Sequence, residues 1–93
     1  MVRTSNAKAS RYVADRVDFK GSNTFGENEG KFYIVYSYGK HFILYLYDKT
    51  TNEWFGSEDK YSVSTSKQQT QLHPNKEVMY LPQKELKNII NFR

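Results

Sequence analysis

Hydrophobic and aromatic residues are concentrated in one long segment, residues 31–47, with the sequence KFYIVYSYGKHFILYLY. Aromatic and β-branched residues run on both sides of Gly39-Lys40, and a glycine in the first position of a two-residue loop is typical of a type II′ hairpin turn. We therefore predict a β-hairpin here. That loop sets four cross-strand pairs: Tyr38–His41, Tyr36–Ile43, Val35–Leu44 and Tyr33–Leu46.

Side chains alternate along a strand, so the hairpin residues divide between two faces. One face is predicted to be core and holds Tyr33, Val35, Ser37, Phe42, Leu44 and Leu46. The other is rich in tyrosine and holds Phe32, Ile34, Tyr36, Tyr38, His41, Ile43, Tyr45 and Tyr47. This second face is either covered by helices or exposed as a binding platform, because tyrosine both stacks on bases and anchors protein interfaces.

The segments before the hairpin predict a helix and a loop. In Ser5–Val17, apolar residues recur at helical spacing, which indicates a short amphipathic helix. Residues 18–30, DFKGSNTFGENEG, hold three glycines and two asparagines and are predicted to form a loop with Phe19 and Phe25 turned inward.

After the hairpin, short elements alternate. The pattern predicts strands at Glu53–Gly56 and Lys60–Ser64 and a last strand at Glu77–Leu81. Between them it predicts one or two helical turns at Thr65–His73, which end at Pro74. A helix that begins near Pro82 completes the chain. The predicted fold is a single α+β domain, residues 1–93, with an antiparallel sheet of four or five strands centred on 31–47 and a helix near each terminus.

The net charge of +4 is unevenly distributed. Residues 1–20 hold five basic and two acidic side chains, and residues 60–76 hold three lysines and no acid, whereas residues 21–59 hold three lysines and six acids. Such basic segments suit a polyanion partner, although a modest positive charge also serves solubility.

The composition also bears on location. The chain has no cysteine and no apolar run near the ~20 residues of a membrane span, and its first ten residues lack the apolar core of a secretory signal. We expect a cytoplasmic protein without membrane contact.

Candidate binding chemistry is densest in Lys60–Lys67, which offers hydroxyls, two lysines and a predicted helix start, and so indicates either an anion site or an ordinary helix cap. The two histidines have no clustered ligands, and no phosphate-binding glycine pattern or nucleophile motif occurs. We predict no catalysis, no cofactor and no metal. The candidate binding residues are Arg11, Arg16, Tyr36, Tyr38, Lys60, Tyr61, Ser64, Thr65, Ser66, Lys67, Gln68 and Lys76.

Three motifs carry a resemblance: Tyr36-Ser37-Tyr38-Gly39, then Trp54, then the segment 60–69, KYSVSTSKQQ. Together they resemble an uncharacterised family of small tailed-phage proteins, some of which also have a segment similar to Phe19–Asn23 followed by Phe25-Gly26-Glu27. The family pattern has histidine where this chain has Gln68, and threonine where it has Ser64. Glutamine still donates and accepts hydrogen bonds, so the exchange favours a binding or structural role.

The resemblance implies a phage-derived protein that acts inside a bacterial host. Two functions remain open. The first is a non-enzymatic accessory protein that binds nucleic acid through its basic segments and tyrosines. The second is an anti-defence inhibitor that binds and blocks a host protein such as a restriction or CRISPR nuclease. The assembly state, including a homodimer, is left open.

Overall fold

The computed structural model describes residues 2–37, 42–59 and 63–92, with the side chains of residues 63–65 excluded. The described residues form a seven-stranded sheet: β1 Val2–Arg3, β2 Phe19–Lys20, β3 Thr24–Glu29, β4 Phe32–Ser37, β5 Phe42–Asp48, β6 Glu53–Ser57 and β7 Val78–Leu81. Their helices are a 3-10 helix Asn6–Lys8, α1 Ser10–Ala14, α2 Val63–Gln71 and α3 Gln83–Phe92.

The sheet is mixed, and this corrects the predicted antiparallel sheet of four or five strands. Its strands lie in chain order, with antiparallel pairing from β2 to β6 but parallel pairing of β1 with β2 and of β6 with β7. Parallel neighbours require a crossover connection. The 3-10 helix and α1 form the first crossover, and α2 forms the second.

The handedness of the crossovers determines which face their helices cover. Four antiparallel steps separate β2 from β6, so β1 and β6 point the same way, and both crossovers step in the same direction along the sheet. Crossovers between parallel strands are almost always right-handed, so both must cover the same face. The packing agrees, because Ala9 and Val13 from the first crossover and Leu72 from the end of the second share one core cluster.

Each face of the sheet therefore has its own core. On the crossover face, the Trp54 ring makes edge contacts with Tyr33 and Tyr45, at centroid distances of 6.3 and 6.5 Å. Such T-shaped pairs add to the free energy gained from burial alone. On the opposite face, Leu86 of α3 is fully buried in the second cluster. Its other members are Phe32, Ile34, Tyr36, Ile43, Leu46 and Phe55.

A β-bulge in the central hairpin corrects the predicted division of tyrosines. Tyr36 pairs with Ile43 as predicted, but Val35 pairs with Tyr45, so Leu44 is an extra residue on β5. One inserted residue moves every later side chain of the strand to the other face. Tyr45 and Tyr47 consequently join Tyr33 on the crossover face, away from Tyr36. The predicted turn at residues 38–41 lies outside the described residues.

Of the other secondary-structure predictions, some are confirmed and some are wrong. The strands at β6 and β7 and the C-terminal helix are confirmed, and Phe19 is fully buried as predicted. The predicted loop 18–30 is wrong, because β2 and β3 occupy it: pairing with β4 overrides the weak strand propensity of its glycines and asparagines. The predicted strand Lys60–Ser64 is also wrong in its described part, where α2 has already begun at Val63.

The N-terminal helix is shorter than predicted. Helical structure is confined to the 3-10 helix and α1, and the predicted helix Ser5–Val17 breaks at its C-terminal end, where Arg16 adopts a positive φ of 56°. A left-handed residue ends a helix because the right-handed backbone cannot continue through it. The reversal directs the chain into β2.

Gly26 in β3 is fixed by two close neighbours. A Cβ at this position would collide with the Tyr33 hydroxyl and would lie 2.6 Å from the Phe19 ring. Tyr33 cannot retreat freely, because its hydroxyl donates a 2.7 Å hydrogen bond to the carbonyl of Val17. Glycine is therefore required here for a close approach of side chains to the backbone.

We predict that Gly26→Ala lowers the free energy of unfolding by about 1–3 kcal/mol, the usual cost of overpacking a filled core. Urea denaturation measures the change. The matched control is Gly30→Asn, at a position with φ 61° and no neighbour within 4 Å of a built Cβ, where asparagine tolerates the left-handed conformation. A Gly26→Ala protein as stable as the control would contradict this account.

Candidate functional site

The two crossovers bring together basic residues that are distant in the sequence. Lys8 and Arg11 come from the first crossover, Lys67 from α2 and Lys76 from the loop after it, and all four side chains are exposed. We call this surface the helical face; it comprises the 3-10 helix, α1, α2 and the loop to Lys76. In sequence, residues 4–17 and 63–76 together contain a single acid, Asp15. The helical face is therefore positively charged.

Two cavities lie on either side of the 3-10 helix, and Ala7 lines both of them. The first has a volume of about 360 Å³ and is lined mainly by amide and hydroxyl side chains; we call it the amide cavity. The second, of about 410 Å³, is lined in part by Lys8, Arg11 and Asn75. Polar and basic groups thus converge around one short helix.

Four amide side chains line the amide cavity, and three of them, Asn6, Asn23 and Gln68, form one network. The Asn6 and Gln68 side-chain nitrogens both donate to Asn23 Oδ1, at 2.5 and 2.8 Å. Asn6 Oδ1 in turn accepts from the backbone N–H of Ser22 at 3.1 Å and from Thr24 Oγ1 at 2.8 Å. The network ties the first crossover and the β2–β3 turn to α2.

Gln68 joins this network to β4. Its side chain is 2% exposed, and its Oε1 accepts a 2.6 Å hydrogen bond from Ser37 Oγ at the end of β4. Donation to Asn23 and acceptance from Ser37 use both ends of the amide.

The turn between β2 and β3 closes tightly around Asn6. A Cβ on Gly21 would overlap Asn6 Oδ1 and would lie 2.8 Å from Thr24 Oγ1. The absence of a side chain at Gly21 therefore allows the turn to approach the network. Ser22 and Asn23, which belong to the same turn, line the amide cavity.

The predicted binding residues are only partly brought together. Arg11, Lys67 and Gln68 line the two cavities, and Lys76 is exposed beside Asn75. Arg16 is half-buried, with its guanidinium 4.7 Å from the centroid of the Tyr47 ring and one N–H donated to the carbonyl of Ala14.

The hydroxyl-rich segment does not cap α2 in the predicted way. Ser64, Thr65 and Ser66 lie inside the helix, because α2 begins at Val63. The Ser66 side chain is exposed and its carbonyl accepts from Thr70 Oγ1. The side chains of Ser64 and Thr65 are not among those described. Tyr38, Lys60 and Tyr61 lie outside the described residues.

Tyr36 does not present a stacking surface. It is 5% exposed, stacks on Phe25 at 5.0 Å and donates a 2.8 Å hydrogen bond to Glu29 Oε2. Tyr45 and Tyr47, the other described members of the predicted tyrosine face, are also buried. All three tyrosines are therefore covered rather than exposed as a binding platform. They do not share one face, however: Tyr36 lies on the α3 face of the sheet, and Tyr45 and Tyr47 lie on the crossover face.

Sequence reasoning missed Asn6, Ser22, Asn23 and Gln71. Isolated asparagines and serines in a glycine-rich segment are typical of solvent-exposed turns, so no spacing indicated a site. The one signal was the resemblance, whose quoted segments 19–23 and 60–69 contribute Ser22, Asn23, Lys67 and Gln68 to the amide cavity.

Burial raises the pKa of three tyrosine side chains above its ordinary value. Burial is the main cause in each case. The pKa of Tyr33 is raised further by the negative charge of Asp18, that of Tyr36 by its hydrogen bond to Glu29, and that of Tyr45 by the nearby Tyr80. Desolvation disfavours the phenolate, so each group keeps its proton in the folded protein. These tyrosines are therefore neutral core residues near pH 7.

Comparisons with protein-family models, curated proteins and solved structures found no match. Among the described residues, none of the helices has the length and apolar character needed to cross a membrane. In the same part of the chain, no three His, Cys, Asp or Glu side chains come together as metal ligands would. The candidate site is therefore argued from its own geometry.

We predict that Gln68→Leu lowers the free energy of unfolding by about 2–4 kcal/mol, because it removes the hydrogen-bond partner of buried Ser37 and one of the partners of half-buried Asn23, and leaves an amide-shaped polar site filled by an apolar side chain. The matched control is Gln71→Leu, one turn along α2, which lines the same cavity but is only half-buried; it should change stability by less than about 0.5 kcal/mol. Thermal or urea denaturation measures both. Equal effects of the two substitutions would show that the network contributes no specific stability.

We also predict a loss of stability above about pH 10, the ordinary pKa of tyrosine. There the unfolded chain releases phenolic protons that the folded chain keeps, so the unfolded state binds fewer protons and the free energy of unfolding falls as pH rises. Each such tyrosine adds about 1.4 kcal/mol per pH unit to this slope.

Tyr45→Phe tests this linkage. The variant loses the 2.6 Å hydrogen bond to the carbonyl of Gln69 and about 1 kcal/mol at pH 7, but its stability should fall less steeply above pH 10. Urea denaturation from pH 8 to pH 11.5 gives both quantities. Parallel pH profiles of the variant and the unaltered protein would contradict the burial of a neutral phenol.

Proposed function

We propose that the protein is a non-enzymatic accessory protein that binds nucleic acid through the helical face. The supporting observation is the meeting of two basic crossovers on one face of the sheet, with Lys8, Arg11, Lys67 and Lys76 exposed. A surface with several exposed cations and few acids attracts phosphates and releases their counterions. We place this activity in the cytoplasm of a bacterial host.

The mode of binding differs from the one that the sequence predicts. Stacking on Tyr36, Tyr45 or Tyr47 would require exposed rings, and these rings are packed in the core. Binding on the helical face therefore depends on phosphate contacts rather than on these three tyrosines. Phosphate contacts carry no direct sequence information, so affinity should depend strongly on salt and weakly on sequence.

We predict that Lys8→Glu/Arg11→Glu weakens nucleic-acid binding at least tenfold. The matched control is Lys84→Glu/Lys87→Glu, which makes the same change in net charge on exposed positions of α3, on the opposite face. Fluorescence anisotropy over a series of salt concentrations measures both variants. The slope of log affinity against log salt should decrease by roughly 0.7–0.9 for each lost phosphate contact in the first variant only.

Equal weakening by the two variants would mean that net charge alone, and not the helical face, attracts nucleic acid. Absence of binding to DNA and RNA at low salt would reject the proposal altogether.

The second candidate, inhibition of a host defence protein, is favoured by the exposed Met79 and Tyr80 of the outer strand β7, with 57% and 44% of their surfaces accessible. Recovery of a host protein after nuclease treatment, together with absence of nucleic-acid binding, would support it.

A further inference from the structure

The amide oxygens of the network that lines the cavity are used mainly by hydrogen bonds within the protein. Asn6 Oδ1 and Asn23 Oδ1 each accept two hydrogen bonds from the protein, which uses both lone pairs of a carbonyl oxygen. Gln68 Oε1 accepts from Ser37. A ligand that donates hydrogen bonds would find these oxygens largely occupied.

The side-chain nitrogens of Asn6 and Gln68 retain donor capacity. A side-chain amide nitrogen carries two hydrogens, and within the described part of the chain Asn6 Nδ2 and Gln68 Nε2 each donate once, both to Asn23 Oδ1. Both side chains are at least nine-tenths buried and line the cavity. Lys67, at the cavity wall, adds an ammonium group with three further donors.

We propose that the amide cavity is a binding site for a phosphate group. A phosphate accepts several hydrogen bonds and carries negative charge, which matches amide N–H donors beside a lysine. None of the described residues that line the cavity is an Asp or a Glu. Its volume of about 360 Å³ lies within the range of roughly 300–1,000 Å³ that is usual for small-molecule sites, so it can hold more than a bare ion.

The donors are held in place before a ligand arrives. Asn6 is fixed by the β2–β3 turn, which closes on it at Gly21, and Gln68 is fixed between Ser37 and Asn23. A site whose groups are already oriented loses less conformational entropy on binding. Pre-organised donors therefore favour specific capture of phosphate over diffuse attraction to a basic surface.

Under the proposed function this phosphate belongs to a nucleic-acid backbone, so the source of the phosphate in this inference rests on the proposed function. The second cavity, with Lys8 and Arg11, lies on the other side of the 3-10 helix and would contact further phosphates of the same strand. A free nucleotide offers the same chemical group without the neighbouring phosphates. The two sources can therefore be separated experimentally.

The test is a titration with inorganic phosphate, followed by NMR of the side-chain amide resonances of Asn6, Asn23 and Gln68. Phosphate should shift these resonances with saturation in the millimolar range, whereas sodium chloride at equal ionic strength should not. Lys67→Met should weaken phosphate binding at least fivefold. The matched control, Lys84→Met on exposed α3, should leave it unchanged.

Shifts that chloride reproduces, or that persist undiminished in Lys67→Met, would overturn the proposal. Two further titrations identify the source: a mononucleotide with its nucleoside as control, and a short oligonucleotide. Competition by the oligonucleotide at far lower concentration than the mononucleotide indicates a backbone phosphate, and equal competition indicates a free nucleotide.

The outcomes for the cavity and for the helical face are distinguishable. If phosphate shifts the amide resonances but oligonucleotides do not bind, the cavity is a phosphate site and the proposed function fails. If oligonucleotides bind through Lys8 and Arg11 while phosphate leaves the amide resonances unchanged, the proposed function stands and the cavity proposal fails.

Discussion

The structure depends on the burial of both faces of the central hairpin. Every residue of β4 and six of the seven residues of β5 are buried. A sheet with two apolar faces must be covered on both sides. In a chain of 93 residues, α3 covers one face and the two crossovers cover the other, so little of the helical structure remains free of this role.

The site follows from that arrangement. Because both crossovers are constrained to the same face, the 3-10 helix and α2 meet above the end of β4. Their meeting point is polar: Asn6 and Gln68 are buried there beside Ser37, and both donate to the half-buried Asn23. Buried amides must find partners, and these three satisfy their oxygens within the protein. The second amide hydrogens of Asn6 and Gln68 and the adjacent Lys67 give the amide cavity its donor character.

Four tyrosines of the central hairpin strands belong to the core, and the hydrogen bonds of their hydroxyls lower the free-energy cost of burying them. Tyr33 and Tyr45 donate to backbone carbonyls, and Tyr36 and Tyr47 donate to Glu29 and Asn52. A buried hydroxyl that keeps a hydrogen bond avoids most of its desolvation cost. A small domain buries only a limited fraction of its surface. Placing each large aromatic ring in the core, rather than on the surface, therefore adds substantially to the area buried on folding.

The sequence by itself determined the central hairpin, β6, β7, α3 and the two basic segments, because local hydrophobic periodicity, proline positions and charge runs encode them. It did not determine β2 and β3: β3, with its Gly26 and Asn28, becomes a strand through pairing with β4, and β2 pairs in turn with β3 and β1. Nor did it reveal the bulge at Leu44, which depends on how β5 fits its neighbours and which removes Tyr45 and Tyr47 from the face of Tyr36. The hairpin that dominates the sequence is a scaffold in the structure. Its neighbours, distant in the chain, meet at the amide cavity because the strand order of the whole sheet, combined with right-handed crossovers, decides which face both crossovers cover. Local patterns along the chain do not specify that order.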